Sequence, residues 1–408
     1  MSAPSDGRDD ARAARGEPGA ARPRVVLVAG EASGDLRGAE LLDALRSLVP
    51  DVAVSGMGGD RLRAAGMEIL VDAHTLSTMG FTELFGRLGV VLRSYRRIRA
   101  AITGRDGSGR PDLLVLIDFP DFNLRLAAVA QRSGVPVLYY VSPQVWAWRR
   151  YRVRTLARRV DRLAVVFPFE ADLYAGLTDV TFVGHPALET VRARRSRAEM
   201  RRDLAVGEDE QLVALLPGSR PAEVRALLPA MVEAWERLAP QPHAVVALAH
   251  ESLRPLVEPH LPGAIPARSG ETWDLVQAAD LALAASGSAT LETALLGTPM
   301  VIMYRLSPVS YSIARLLVRV PFIGMPNLIL GEAAVPELIQ EEVRPERIAA
   351  EAQAILSDPA RAARMRSDLA RVRARLGEPG AARRAAEIAA RMLGRTAVAR
   401  EAAAERPP

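Results

Sequence analysis

The chain has no cysteine and no lysine. Without cysteine there are no disulfides, no thiolate nucleophile and no thiolate-bound zinc. Without lysine there is neither a phosphate-loop lysine nor a Schiff-base lysine, and arginine carries the basic charge. No stretch holds the roughly 18 apolar residues that a membrane-spanning helix needs. An apolar signal segment is missing too: Met1 to Pro23 is rich in Ala, Arg, Asp, Gly and Pro and reads as a disordered tail. The chain is therefore expected in the cytoplasm. The histidines (His74, His185, His243, His250, His260) show no HxH or HxxxH spacing, and no Asp-x-Asp pair occurs. No metal and no cofactor are expected. His185, within Gly-His-Pro, reads as a hinge residue.

What is present fits a large globular protein. A length of 408 residues exceeds one ordinary domain, so two are expected, each with its own core. A net charge of +5 leaves anionic partners open: nucleic acid, nucleotide or an anionic membrane face.

Apolar runs alternate with helical spacing along the chain. Arg24 to Ala29 reads as a buried parallel strand, followed by the loop Gly30 to Gly34 and a helix from Asp35 to Leu48. Strands are expected at Asp112 to Ile117, Val135 to Val141 and Leu163 to Phe167, with helices at Leu124 to Gln131 and Arg150 to Val160. An Arg-rich helical stretch follows, Glu189 to Leu204. A second series has strands at Leu212 to Leu216, Ala244 to Ala249, Leu281 to Ala285 and Met300 to Tyr304, with helices at Ala222 to Leu238 and Thr290 to Leu296. This alternation predicts an α/β fold of two Rossmann-like domains with a ligand cleft between them. The expected boundaries are a tail over 1–23, a first domain over 24–187, a second over 188–345, helices over 346–393 and a frayed end over 394–408.

Several strand ends carry candidate chemistry. At Leu216-Pro217-Gly218-Ser219-Arg220 a strand runs through a glycine loop into a helix, whose free N–H groups and dipole suit an anion. Arg220 adds a bidentate donor for phosphate. A plain strand-to-helix turn is the alternative. Ser286-Gly287-Ser288-Ala289-Thr290-Leu291-Glu292 repeats the arrangement, with Glu292 able to accept from ribose hydroxyls; a serine-capped helix is the bland alternative. Two such helix starts in one domain favour a nucleotide pocket. In the first domain, Gly30-Glu31-Ala32-Ser33-Gly34-Asp35 is bounded by glycines and carries two carboxylates, but is not a dinucleotide fingerprint. Asp118 directly follows an apolar strand, where partial burial would raise its pKa toward general-base values. Asn123 fits a helix-capping role better.

Two basic segments remain. Met79 to Leu92 runs into Arg93, Arg96, Arg97 and Arg99, and either lies in a membrane interface or forms a core helix with a solvated end. Trp146-Ala147-Trp148-Arg149-Arg150 combines stacking and charge, which prompts a nucleic-acid-binding alternative.

The motifs GEASGD (Gly30 to Asp35), MGFTEL (Met79 to Leu84), IDFPDFN (Ile117 to Asn123), YYVSPQVWAWR (Tyr139 to Arg149), VGHP (Val183 to Pro186), LPGSR (Leu216 to Arg220), ASGSATLE (Ala285 to Glu292) and MPNLI (Met325 to Ile329) stand in this order. The chain so resembles the lipid-A-disaccharide synthase family from about Arg24 to Gln340. The resemblance implies a GT-B architecture whose C-terminal helix returns to the first domain. It implies an inverting transfer of 2,3-diacylglucosamine from its UDP derivative to lipid X (2,3-diacylglucosamine 1-phosphate), at the cytoplasmic face of the inner membrane, with no nucleic acid and with a homodimer left open. Asp118 would be the base, and Gly218, Ser219 and Arg220 would hold the diphosphate. Ser286, Gly287, Ser288, Thr290, Glu292, Asn327 and Gln340 would complete the donor side. Gly30, Glu31, Ser33, Gly34, Asp35 and Asn123 would line the acceptor side. Met79, Phe81, Phe85, Arg93, Arg96 and Arg97 would meet the membrane. An epimerase acting on a UDP-sugar shares this architecture and is the enzyme alternative.

Overall fold

The computed structural model describes residues 22–74, 88–143, 151–307, 311–312, 315 and 320–404. Met79, Phe81, Phe85, Trp146 and Trp148 lie outside the described residues, and so do the nucleic-acid reading of the two tryptophans and the apolar part of the membrane reading.

Two parallel sheets carry the fold. The first comprises β1 (Arg24–Ala29), β2 (Ala53–Gly58), β3 (Glu68–Asp72), β4 (Leu113–Ile117), β5 (Val137–Tyr140), β6 (Arg162–Val165) and β7 (Asp179–Phe182), in the order β3-β2-β1-β4-β5-β6-β7. The second comprises β8 (Leu212–Leu216), β9 (His243–Leu248), β10 (Ala267–Ser269), β11 (Leu281–Ala285), β12 (Met300–Tyr304) and β13 (Glu337–Ile339), in the order β10-β9-β8-β11-β12-β13. Strand direction never reverses between neighbours. The central strands β4, β8 and β11 are buried at every position, which explains their unbroken apolar sequences: helices cover both faces of a parallel sheet. Each fully buried Leu, Ile or Val contributes roughly 1.5–3 kcal/mol.

Chain order changes direction between β1 and β4 in one sheet and between β8 and β11 in the other. Neighbouring strands there send their connections to opposite faces, leaving a crevice at their carboxyl ends. The glycine loops and the Asp118 turn singled out in the sequence lie at these two places.

Five strands escape the apolar-run criterion: β2, β3, β7, β10 and β13. β2 reads AVSGMG, and its Gly56 sits opposite Leu27 at φ +152°, where a Cβ would collide with the Leu27 carbonyl oxygen. Close strand approach demands glycine there, and glycine hides the strand. β10 and β13 have only three residues each.

Helix boundaries also shift. The stretch from Glu189 to Leu204 is two short helices, Ala187–Thr190 and Arg197–Asp203. It breaks because the Asp274 carboxylate accepts from the N–H groups of Arg194 and Arg195, at 2.6 and 2.8 Å. The C-terminal region forms three helices, Pro345–Leu356, Pro359–Arg375 and Ala381–Ala404. Asp358 caps the second, accepting from Ala360 and Arg361. The third returns to pack on the helix Ala32–Leu48 and reaches β4. Its start is fixed by the Glu189 carboxylate, which accepts from Gly380 and Ala381 at 2.9 and 3.2 Å, and by Arg384, which donates to Val183 O. His185 lies at this crossing: its N–H donates to Leu376 O, and burial, with the Arg37 charge second, lowers its pKa to about 4. A neutral, buried imidazole suits a packing role there.

Candidate functional site

A cavity of about 620 Å³ opens beyond the carboxyl ends of β8 and β11, within the usual range for small-ligand sites. Gly218, Ser219, Arg220, Ser286, Gly287, Ser288 and Glu292 share its wall. The two loops are adjacent because β8 and β11 pair directly.

They differ in what they leave open. In the first loop Gly218 has φ +111°, and a Cβ there would sit 2.5 Å from a Glu223 carboxylate oxygen. Glu223 accepts from the N–H groups of Ser219 and Arg220, at 3.0 and 3.2 Å, and its other oxygen accepts from the Arg220 guanidinium at 3.0 Å. The Ser219 and Arg220 amides, expected to be free before this helix start, are thus occupied by the protein's own carboxylate, a correction to the sequence reading. Arg220 is 79% exposed, so this surface pair is weak and its guanidinium can exchange partners.

The second loop is open. Among the described residues, no protein acceptor takes the N–H groups of Gly287, Ser288 or Ala289, which begin the helix Ser288–Leu295. Helix starts of this kind attract anions. The Ser286 hydroxyl donates to Ile323 O at 3.0 Å, which fixes the loop. Glu292, four residues into the helix, accepts from the Trp273 indole N–H at 2.7 Å and keeps a second oxygen for a ligand.

Three residues expected on the donor side serve the framework instead. Thr290 is fully buried and its hydroxyl donates to Gly287 O, shaping the loop from behind. Asn327, 1% exposed, spends its amide on Val335 O, Glu337 and the N–H groups of Ala334 and Val335. Gln340 exchanges two hydrogen bonds with the backbone of Leu306. None of the three lines the cavity. Sequence reasoning missed Trp273, His250, Arg192 and Arg194, which do. Trp273 opens a helix after Gly270 but belongs to no motif, and the two arginines vanish in an Arg-rich stretch.

The first half presents different chemistry at the β1 and β4 ends. Asp118 and Phe119 are both left-handed, with φ of +45° and +49°. Such conformations cost roughly 1–3 kcal/mol each for residues bearing a Cβ, and surrounding structure must enforce them. The enforcement is visible. The Asn123 amide donates to the carbonyls of Ile117 and Asp118, at 3.1 and 2.7 Å, and the buried Tyr139 hydroxyl also donates to Asp118 O. Gly30 admits the Phe119 ring, with which a Cβ on residue 30 would collide. The Asp118 side chain is thereby held half-buried. Burial, with the Glu31 carboxylate second, keeps its carboxyl above the ordinary range, against one backbone donation from Phe119.

Asn123 therefore does not cap the helix Pro120–Arg132 but sits in its first turn and clamps the strand end. Its Oδ1 is buried without a partner. Asp35 is likewise engaged, accepting from the N–H groups of Gly59, Arg61 and Leu62 and so capping the helix Asp60–Ala64. At Gly34 a Cβ would find ordinary room, 3.5 Å from that of Ala29. Glu31 and Ser33 are exposed. None of these first-half residues lines the 620 Å³ cavity, whose wall runs from Arg192 to Glu292.

Residues 25–392 match the family described as lipid-A-disaccharide synthetase. The chain belongs to the lipid-A-disaccharide synthase family. A lipid-A-disaccharide synthase of Syntrophus aciditrophicus (strain SB) is 44% identical over 378 residues, covering 90% of this chain and 97% of the relative. The chain is thus an enzyme, a glycosyltransferase of lipid A biosynthesis that uses a UDP-sugar and a lipid acceptor. Among solved structures, MurG of Acinetobacter baumannii superposes with a TM-score of 0.57 at 13% identity, covering 90% of this chain and 99% of that one. A UDP-GlcNAc 2-epimerase from Neisseria meningitidis reaches 0.55 at 11% identity, over 91% of this chain and 100% of that one. Likeness at this level establishes the GT-B fold and does not choose between transfer and epimerisation. The family membership does choose, and it favours neither the epimerase nor the nucleic-acid alternative.

Proposed function

We propose that the chain transfers 2,3-diacylglucosamine from its UDP derivative to the 6-hydroxyl of 2,3-diacylglucosamine 1-phosphate, with inversion at the anomeric carbon. The observation that carries the reading is the open row of amides at Gly287, Ser288 and Ala289, facing a cavity that also holds Arg220 and Glu292. In this reading the amides and the Arg220 guanidinium receive the diphosphate, while Glu292 and Trp273 receive the nucleoside. Asp118 removes the proton from the acceptor hydroxyl, whose oxygen bonds to the anomeric carbon as the bond to the diphosphate oxygen breaks. The electron pair leaves with UDP, and preorganised donors stabilise that charge. A carboxylate held above its usual pKa is better matched to taking a proton near neutrality than an ordinary aspartate. Glu31 and Ser33, exposed beside it, are candidates for meeting the acceptor sugar.

The test is UDP release on mixing both lipid substrates, comparing wild type with Asp118→Ala and Arg220→Ala. Loss of turnover in Asp118→Ala with donor affinity preserved supports the base role; full activity removes Asp118 from the mechanism.

Amphiphilic substrates also place the enzyme at a membrane surface in this reading, at the cytoplasmic face of the inner membrane. The helix Leu88–Thr103 supports it: Arg93, Arg96, Arg97 and Arg99 are exposed, and Leu92 is 44% exposed beside them. Arginines next to exposed apolar surface suit anionic head groups. Among the described residues no helix is long and apolar enough to cross a membrane. Replacing Arg93, Arg96 and Arg97 with Glu should weaken binding to anionic liposomes, and unchanged binding would remove this helix from the interface.

A further inference from the structure

We infer that Arg192 and Arg194 are two further contacts for the donor's diphosphate, held on the cavity rim by Asp274. The inference rests on the reading that this cavity takes a nucleoside-diphosphate sugar.

In the segment joining the helices Ala187–Thr190 and Arg197–Asp203, Arg195 reaches Asp203 and Glu271, at 3.4 and 3.3 Å. Arg197 and Arg201, in the helix that follows, both reach Asp280, at 2.5 and 3.2 Å. Arg192 and Arg194 alone in this group line the cavity, and among the described residues neither has an acidic partner. Of the arginines turned away from the cavity, Arg195, Arg197 and Arg201 are paired with carboxylates and Arg202 is solvent-exposed, whereas the two on the cavity wall have no acidic partner among the described residues.

The acidic groups of the cavity wall have partners of their own, though only Glu223 is ion-paired and Glu292 keeps one oxygen free. Glu223 is taken by Arg220 and two backbone amides, and Glu292 by Trp273. Asp274, 6% exposed, gives one oxygen to the N–H groups of both Arg194 and Arg195. Two guanidinium groups without acidic partners, on the wall of a cavity with open helix-start amides, form a donor set suited to an anionic group of a ligand. Arginine is the side chain best suited to hold phosphate oxygens in pairs.

Asp274 has a positioning part. It lies in the helix Thr272–Ala278, directly after Trp273, and both line the cavity. Through its two backbone contacts it ties the connecting segment to the wall on which the nucleoside would lie. The register of the two arginines against the diphosphate is set by that tie.

The experiment is calorimetric titration of the full chain with UDP, UMP and uridine at several salt concentrations. Arg192→Ala and Arg194→Ala should each weaken UDP binding on the order of tenfold, and the double variant about a hundredfold, with uridine affinity little changed. The double variant should also show a shallower salt dependence. Asp274→Ala should weaken UDP, and add little when combined with the double variant, since positioning matters only if the arginines are present. Asp274→Asn, which keeps the accepting oxygen, should bind UDP nearly as wild type does. A double variant that binds UDP with unchanged affinity and salt dependence would overturn the inference and leave the nucleotide cavity standing. An equal loss for UDP and uridine would also overturn it, because it would trace the effect to the nucleoside wall. Failure of the wild type to bind UDP at all would sink the parent reading.

Discussion

The two sheets share one strand order about their crossing points, yet the loops at those points are chemical opposites. At the ends of β1 and β4 stand carboxylates, Glu31 and Asp118, the second on backbone forced into a left-handed conformation. At the ends of β8 and β11 stand open amides and Arg220, on loops whose unusual conformations fall to glycine, with Glu223 and Glu292 on the helices behind. The crevice location is a property of the sheet, while the charge placed there is a property of the loop. A transfer reaction needs both: a proton acceptor for the attacking group and positive charge for the departing one. In the proposed reading, one architecture used twice supplies them from its two sheets.

The largest effect that would break this contrast is expected at Asp118. Asp118→Asn keeps shape and removes basicity, and turnover should fall roughly 10²- to 10⁴-fold with UDP affinity unchanged. A similar fall in UDP affinity would mean that the two loop sets do not divide the labour. In the second half the matching experiment removes an amide rather than a side chain. Ser288 is the first residue of its helix, a position where proline fits. Ser288→Pro should therefore leave the fold intact and weaken UDP roughly tenfold or more, through one lost charge-assisted hydrogen bond. Unchanged affinity would remove these amides from the anion site.

A smaller effect tests the strained turn. Gly30→Ala would drive a methyl into the Phe119 ring and displace the turn carrying Asp118, whereas Gly34→Ala meets only ordinary contacts. Turnover should drop about tenfold or more in the first variant, in line with roughly 1–3 kcal/mol of backbone strain at such sites, and little in the second. Equal behaviour of the two would mean that the glycine loop does not support Asp118.

How much of this was legible in the sequence follows from what each signal measures. Buried parallel strands declare themselves as apolar runs, so β1, β8, β11 and β12 match to the residue. β2 did not, because the close contact between Gly56 and Leu27 replaces the side chain that would have marked it. The glycine loops were visible as motifs, and their meeting at one cavity follows from strand pairing. Whether an amide is free is a different matter. Ser219 and Ser288 look alike in sequence, and only the fold shows that Glu223 covers the first and leaves the second open. Polar residues suffered most. Asp35, Asn123, Thr290 and Asn327 sit in motifs as ligand contacts would, and Gln340 ends the stretch of resemblance, yet each is buried and bonded to backbone. A motif records that a residue type is needed, without saying whether a substrate or a carbonyl needs it. Arg192 and Arg194 show the reverse: cavity residues without a motif.

The finest test concerns Glu31. Its carboxylate contributes, after burial, to holding the Asp118 carboxyl above the ordinary range. A base works only when deprotonated, so activity should rise with pH through the Asp118 pKa and form the acid limb of the profile. Removing a neighbouring negative charge makes ionisation easier, so Glu31→Gln should move that limb to lower pH, by a fraction of a unit given the exposure of Glu31. Turnover on the plateau should change little if Glu31 acts through charge alone. A limb that stays in place would assign it to a group other than Asp118. A shift to higher pH would mean that Glu31 reaches the acceptor sugar directly and that its charge is part of substrate recognition.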